Sequence, residues 1–195
     1  MKNPLVVSLL CGLALLSGGC ATNIKTEVVQ NPPPAEKFSG FARIELSKIA
    51  LVAPYAGQEA NEKALVKIQE NVALKMTPAL ATWNAATAPR GVVRTLLIEP
   101  TVTEIKFINA TARVWGGAMA GSSAVILRAK ITEKETGKVI AEPHFYARAA
   151  AYSGAFSLGG ADNAMLVRIA NRLSDYLQGN YAQAVGGPTG AEPAK

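Results

Sequence analysis

Cysteine is nearly absent: Cys11 and Cys20 are the only two in 195 residues. Cys11 lies in an apolar leader, so the mature chain keeps one thiol and cannot close an internal disulfide. Histidine is scarcer still. His144 stands alone, which excludes a multi-histidine metal site and leaves a Ser-His-Asp triad no other base. The aspartates are Asp162 and Asp175, both assigned to the last predicted helix as cap and surface charge. No Gly-x-Ser-x-Gly elbow and no His-Glu-x-x-His zinc motif occurs. Glu99 and Glu104 supply two carboxylates for glycoside chemistry, but nothing beyond their presence supports it. The expectation is a protein that is not an enzyme, with no cofactor and no metal. Aromatic residues make up 6% of the chain, so its hydrophobicity comes from Ala, Val, Leu and Ile. That suits a modest core better than a ligand groove rich in rings. Lys and Arg never run five together, so the net charge of +6 does not read as a nucleic-acid surface. It falls by one when Lys2 leaves with the leader. Scattered solvating charge accounts for the balance most simply, and anionic headgroups or acidic wall polymers are its best-placed counterparts.

The leader is what the chain has in place of a membrane span. Lys2 is a short positive n-region, and Leu5 to Leu16 is an apolar run well short of the roughly 18 residues a spanning helix needs. Small residues then run straight into a cysteine: Leu16-Ser17-Gly18-Gly19-Cys20. This resembles the bacterial lipoprotein signal, the lipobox, with Ser17 where that motif usually carries Leu. The resemblance implies that residues 1–19 are removed and that Cys20 becomes an acylated N-terminus, so that the membrane is reached through lipid. The plainer reading is ordinary secretion, with Cys20 left as a free thiol. Ala21 follows the cysteine. An Asp there would resemble an inner-membrane retention signal, so its absence leans towards the outer membrane, periplasmic side.

Residues 20–37 read as a linker after the anchor, with Asn31-Pro32-Pro33-Pro34 as a semi-rigid extended spacer. A domain over 38–183 follows. Lys48 to Pro54 is a short apolar run read as a buried strand. From Ala60 the period changes, and Leu65, Ile68, Val72, Met76, Leu80 and Trp83 mark one helical face. Pro78 predicts a kink in this helix, or two nearly collinear helices. Arg94 to Ile108 reads as a strand with Pro100 at a bulge or break, Ser122 to Thr132 as a second, and Val139 to Ala151 as a third with Pro143 at an edge or bulge. Glu133 to Lys138 suits a tight hairpin loop. Asp162 caps a last helix whose apolar stripe is Met165, Leu166, Ile169, Leu173, Tyr176 and Leu177, with Gly179 as its stop. Residues 184–195, rich in Gly and Pro, read as a disordered tail. The order β-α-β-β-β-α predicts an α+β, two-layer sandwich: an antiparallel-rich sheet with helices on one face. On composition, linker and tail are expected to be dispensable for folding.

The stretch Arg113 to Ser123 is the most unusual. Trp115 is followed by Gly116 and Gly117, and Gly117 and Gly121 make a small-xxx-small spacing. The apolar segment is too short for that spacing to mean membrane-helix dimerisation. It is no phosphate loop, because no Gly-Lys-Ser/Thr follows. A plain connection between strands is one reading. The other is a partner or self-association surface built on Trp115, Gly116, Gly117 and Gly121. Phe38-Ser39-Gly40-Phe41, the run Arg113 to Ser123 and the Thr136-Gly137-Lys138 turn together resemble uncharacterised bacterial envelope lipoproteins of the domain-of-unknown-function class, over about residues 38 to 178. That likeness implies a small lipid-anchored domain, distantly like the curli-secretion lipoprotein, with no catalytic residues. The expected function is therefore non-enzymatic binding of a protein partner or an envelope polymer. The alternative is a structural subunit that joins its own copies through 113–123 into a ring or pore.

Overall fold

The computed structural model describes residues 24, 26, 28–85, 93–108, 122–149 and 160–192. Strand β5 (Ala124–Glu133) is the axis of the sheet. Val125, Leu127, Ala129 and Ile131 are buried on one side of it, while Arg128 and Lys130 are exposed on the other, the alternation a pleated strand imposes. On one flank runs β4 (Thr95–Lys106), antiparallel from Leu96↔Glu133 to Lys106↔Ala124, with a register shift between Val102 and Glu104. Beyond β4 lie β2 (Arg43–Leu46) and β3 (Ala50–Leu51), both parallel to it. On the other flank of β5, β6 (Val139–Ala141) and β7 (His144–Arg148) pair antiparallel in succession. Pro143 separates them, because it has no N–H to give a ladder. Its carbonyl accepts instead from Ala129 N. The predicted third strand is thus two short ones.

Both helices cover the buried face. In α1 (Glu59–Ala85), Ala64, Ile68, Val72 and Met76 are buried at four-residue steps. The helix is single and continuous through Pro78. Proline removes the hydrogen bond to the Leu74 carbonyl, and Leu74, 78% exposed, lies on the solvent side. Trp83 stacks on Tyr181 of the second helix, with centroids 4.3 Å apart. That helix, α2 (Gly160–Ala182), buries the predicted stripe from Met165 to Leu177. It runs past Gly179 to Ala182; the first glycine in left-handed conformation after it is Gly186, at φ 76°. The α+β two-layer architecture with an antiparallel-rich sheet is the one expected.

The ends of the chain correct the expected spacer and tail. Within residues 28–37, β1 (Gln30–Asn31) pairs antiparallel with β8 (Gly187–Pro188). The Asn31 side chain mimics a neighbouring strand: its Nδ2 donates to His144 O and its Oδ1 accepts from His144 N, both at 2.9 Å. Farther along, Ala35 N donates to Ile140 O at 2.8 Å. From the tail, Thr189 O accepts from Tyr146 N at 2.8 Å, and Thr189 N donates to Val29 O at 2.9 Å. The segment written off as a linker is a strap along the free edge of β6 and β7, and residues 184–192 hold it there. Asn180 organises the turn between: its Nδ2 donates to Tyr176 O and Gly186 O, and its Oδ1 accepts from Val185 N and Gly186 N. A Cβ on Gly186 would stand 2.4 Å from Asn31 O, so only glycine allows this approach.

Removing strap or tail is therefore expected to destabilise the domain, the reverse of what composition implied. Asn180→Ala leaves several buried backbone groups without partners and should cost about 2–3 kcal/mol, read as a lower urea midpoint at unchanged slope. An unchanged midpoint would show that the tail contributes nothing to folding.

Candidate functional site

Every site residue expected from the sequence, Cys20, Trp115, Gly116, Gly117 and Gly121, lies outside the described residues. The described residues on either side of the segment that holds the last four are nevertheless brought together. That segment joins β4 to β5 where Lys106 pairs with Ala124, and its exit is pinned by Ser123, whose Oγ accepts from Ile108 N and whose carbonyl accepts from Ala149 N. Ile24 is at this same end. It packs with Ala124, Ile126 and Tyr146, and its carbonyl accepts from the Tyr146 hydroxyl at 3.3 Å. Ile24 and the described ends of that segment, Ile108 and Ser122, thus lie at one end of the sheet.

Next to them is a pocket of about 550 Å³ between β7, α2 and residues 188–192. Arg148, Arg168 and Arg172 line it, and among the described residues Glu192 is its one carboxylate. Arg168 Nη2 donates to Arg148 O at 2.6 Å, which ties the helix to the strand end. Gly190, at φ 95°, lets the C-terminal segment close the pocket: a Cβ there would stand 2.3 Å from Tyr146 O and 3.1 Å from Arg172 Nε. Among the described residues, no carboxylate forms an ion pair with any of the three arginines. The sequence carried a signal for this cluster that reading by motif passed over. Arg168 and Arg172 share one helix face four residues apart, and the acidic residue that follows on that face, Asp175, pairs with Lys75 of α1 instead.

The outer sheet face carries a second recess, of about 360 Å³, lined by Glu99, Thr101, Arg128, Lys130, Glu142 and His144. Register sets Glu99 opposite Lys130 and Thr101 opposite Arg128. Burial, and then the nearby Arg128 charge, push the His144 imidazole below its ordinary value. The His144 backbone is what the strap holds. Among the described residues no carboxylate hydrogen-bonds its ring and no group of three or more His, Cys, Asp and Glu is arranged to hold a metal.

At the far end of the strap, Glu36 receives Arg94 in a two-pronged pair, Nη1 at 3.0 Å and Nη2 at 2.8 Å. Arg94 Nε also donates to Glu133, and the guanidinium lies 4.4 Å over the Phe41 ring. The Thr136 hydroxyl donates to Glu133 at 2.6 Å. The Arg94 hydrogen bonds hold both carboxyls below their ordinary 4.5. This group is a latch between strap and sheet.

No family model and no curated protein matches the chain. Among solved structures, it is similar to PelC from Paraburkholderia phytofirmans, crystallised as a dodecamer, with TM-score 0.38 and 12% identity over 72% of this chain and 91% of that one. It is similar to protein XCC0632 from Xanthomonas campestris, with TM-score 0.37 and 10% identity over 78% and 90% of the two chains. A third likeness is to a chain from Caulobacter crescentus solved as a candidate lipoprotein, with TM-score 0.32 and 13% identity over 69% and 91%. At these scores the likenesses assign neither family nor function.

The latch makes a pH prediction. Because Glu36 and Glu133 have lowered folded values, their stabilisation is complete above about pH 4.5 and is lost as pH falls through those values. Arg94→Met should lower stability at neutral pH and flatten its fall below about pH 4.5, measured by urea unfolding over a pH series. An acid limb as steep as the parent's would show that the latch does not set it.

Proposed function

We propose that this chain is an envelope lipoprotein, acylated at Cys20, whose non-enzymatic domain is held close against the membrane to bind a protein partner or an envelope polymer there. The docking of Ile24 carries this reading. Cys20 and Ile24 are four positions apart, a reach of at most about 14 Å, and Ile24 is buried against Ala124 and Ile126. Because the strap is fixed to β7, the domain cannot stand off on a proline spacer. It presents towards the bilayer the end of its sheet at which Lys106 pairs with Ala124. Ala21 in place of an acidic residue favours the outer membrane, periplasmic side. Stable anchoring takes more than one acyl chain, which a diacylated thioether provides.

Cys20→Ala should remain unprocessed or become soluble, read by detergent-phase partitioning and by the intact mass of the N-terminus. Partitioning equal to the parent's would end the reading. Trp115→Ala should fold normally and recover less partner from envelopes, since tryptophan is a favoured interface anchor. If it unfolds the domain instead, Trp115 belongs to the core.

A further inference from the structure

We infer that the pocket between β7, α2 and residues 188–192 binds the phosphate of an anionic membrane lipid through Arg148, Arg168 and Arg172. The inference rests on the anchored reading above for the source of the ligand, and on the pocket's own chemistry for its kind.

Three arginines line one recess that, among the described residues, offers them one carboxylate, Glu192. Arg168 and Arg172 stand at a helix spacing where like charges repel, so an arrangement without an anion is the costly one. Guanidinium is the side chain best matched to phosphate, because its planar fork delivers paired N–H donors to two oxygens. The walls are fixed in advance. Arg168 is held to the β7 carbonyl at Arg148, and the Gly190 backbone lies against the Tyr146 carbonyl with no room for a Cβ between them. Position then selects the ligand. Tyr146 lines the pocket and hydrogen-bonds the Ile24 carbonyl, so the arginines sit beside the segment that emerges from the anchor. A lipid in the anchoring leaflet is the phosphate carrier present there at high local concentration. The outer sheet face, with Arg128 and Lys130 set opposite Thr101 and Glu99, carries its own carboxylates and is the natural control.

The test uses the mature chain carrying Cys20→Ser, so that binding does not depend on acylation, titrated with phosphatidylcholine vesicles with and without phosphatidylglycerol. Binding to the phosphatidylglycerol vesicles alone is expected, weakening with salt. Arg148→Gln and Arg172→Gln should each weaken it about fivefold, and the pair about 25-fold, from about 1 kcal/mol per basic residue at an anionic surface. Glu192→Gln should tighten it, an outcome no misfolded variant imitates. Arg128→Gln and Lys130→Gln should leave it unchanged. Equal losses from that control pair would replace the pocket by diffuse surface charge and overturn the inference. So would absence of vesicle binding, or inorganic phosphate saturating the arginines with no preference between vesicles. Each of these outcomes leaves acylation of Cys20, read independently by mass, standing or falling by itself.

Discussion

The free edge of β7 must be closed, and the Asn31 amide closes it. An edge strand offers unpaired N–H and C=O groups to any extended chain that passes. Here a side-chain carboxamide supplies one donor and one acceptor to His144, at the spacing a neighbouring backbone would use. Thr189 continues the closure at Tyr146 and Ala35 at Ile140. The rest of the chain's organisation depends on this edge. It fixes the path of the N-terminal segment across the sheet, it gives the C-terminal residues something to hold, and it brings Ile24 onto Ala124 and Ile126. Side-chain closure also has a geometric merit. It satisfies the edge without extending the sheet, so no new edge is made.

Charge is divided along the same lines. At the Glu133 end of β5, Arg94 is fully engaged by Glu36 and Glu133 and rests on Phe41; it holds structure. At the Ala124 end, among the described residues, Arg148, Arg168 and Arg172 have backbone or hydroxyl partners at most and share their pocket with one carboxylate. The same residue type serves two ends differently because only one end supplies its counterions. Part of the chain's positive charge is therefore gathered at one end of the sheet.

Long periodic elements were legible in the residues; short closures were not. The stripes Ile68–Val72–Met76 and Met165–Ile169–Leu173 declared both helices, and the alternation about Arg128 and Lys130 declared β5. Gly137, at φ 71°, sits where the hairpin turn was expected. Strand β2 went unread because its four residues carry one buried apolar side chain, Ile44. The strap and tail were misread for a physical reason. Proline and glycine are associated with disorder because they bury little apolar surface, but here they serve through backbone shape. Extended proline backbone follows a sheet edge, and Gly186 and Gly190 permit approaches that any Cβ would block. The hydrogen bonds that secure them join residues 113 and 161 positions apart, beyond the reach of any local pattern. The arginine pocket was missed likewise, since its residues meet only after β7 and α2 pack.

The pairing of Val28 and Val29 with Thr189 has a consequence for order in time. Contacts so distant in sequence close a loop of nearly the whole chain, which makes them entropically costly and late. A chain that emerges N-terminus first therefore carries residues 28 and 29 without their partner until residue 189 has been made. Only when residue 189 arrives can the edge of β7 be sealed at Tyr146. The fold thus carries its own checkpoint: completion of the polypeptide ends the period in which the strap lies open.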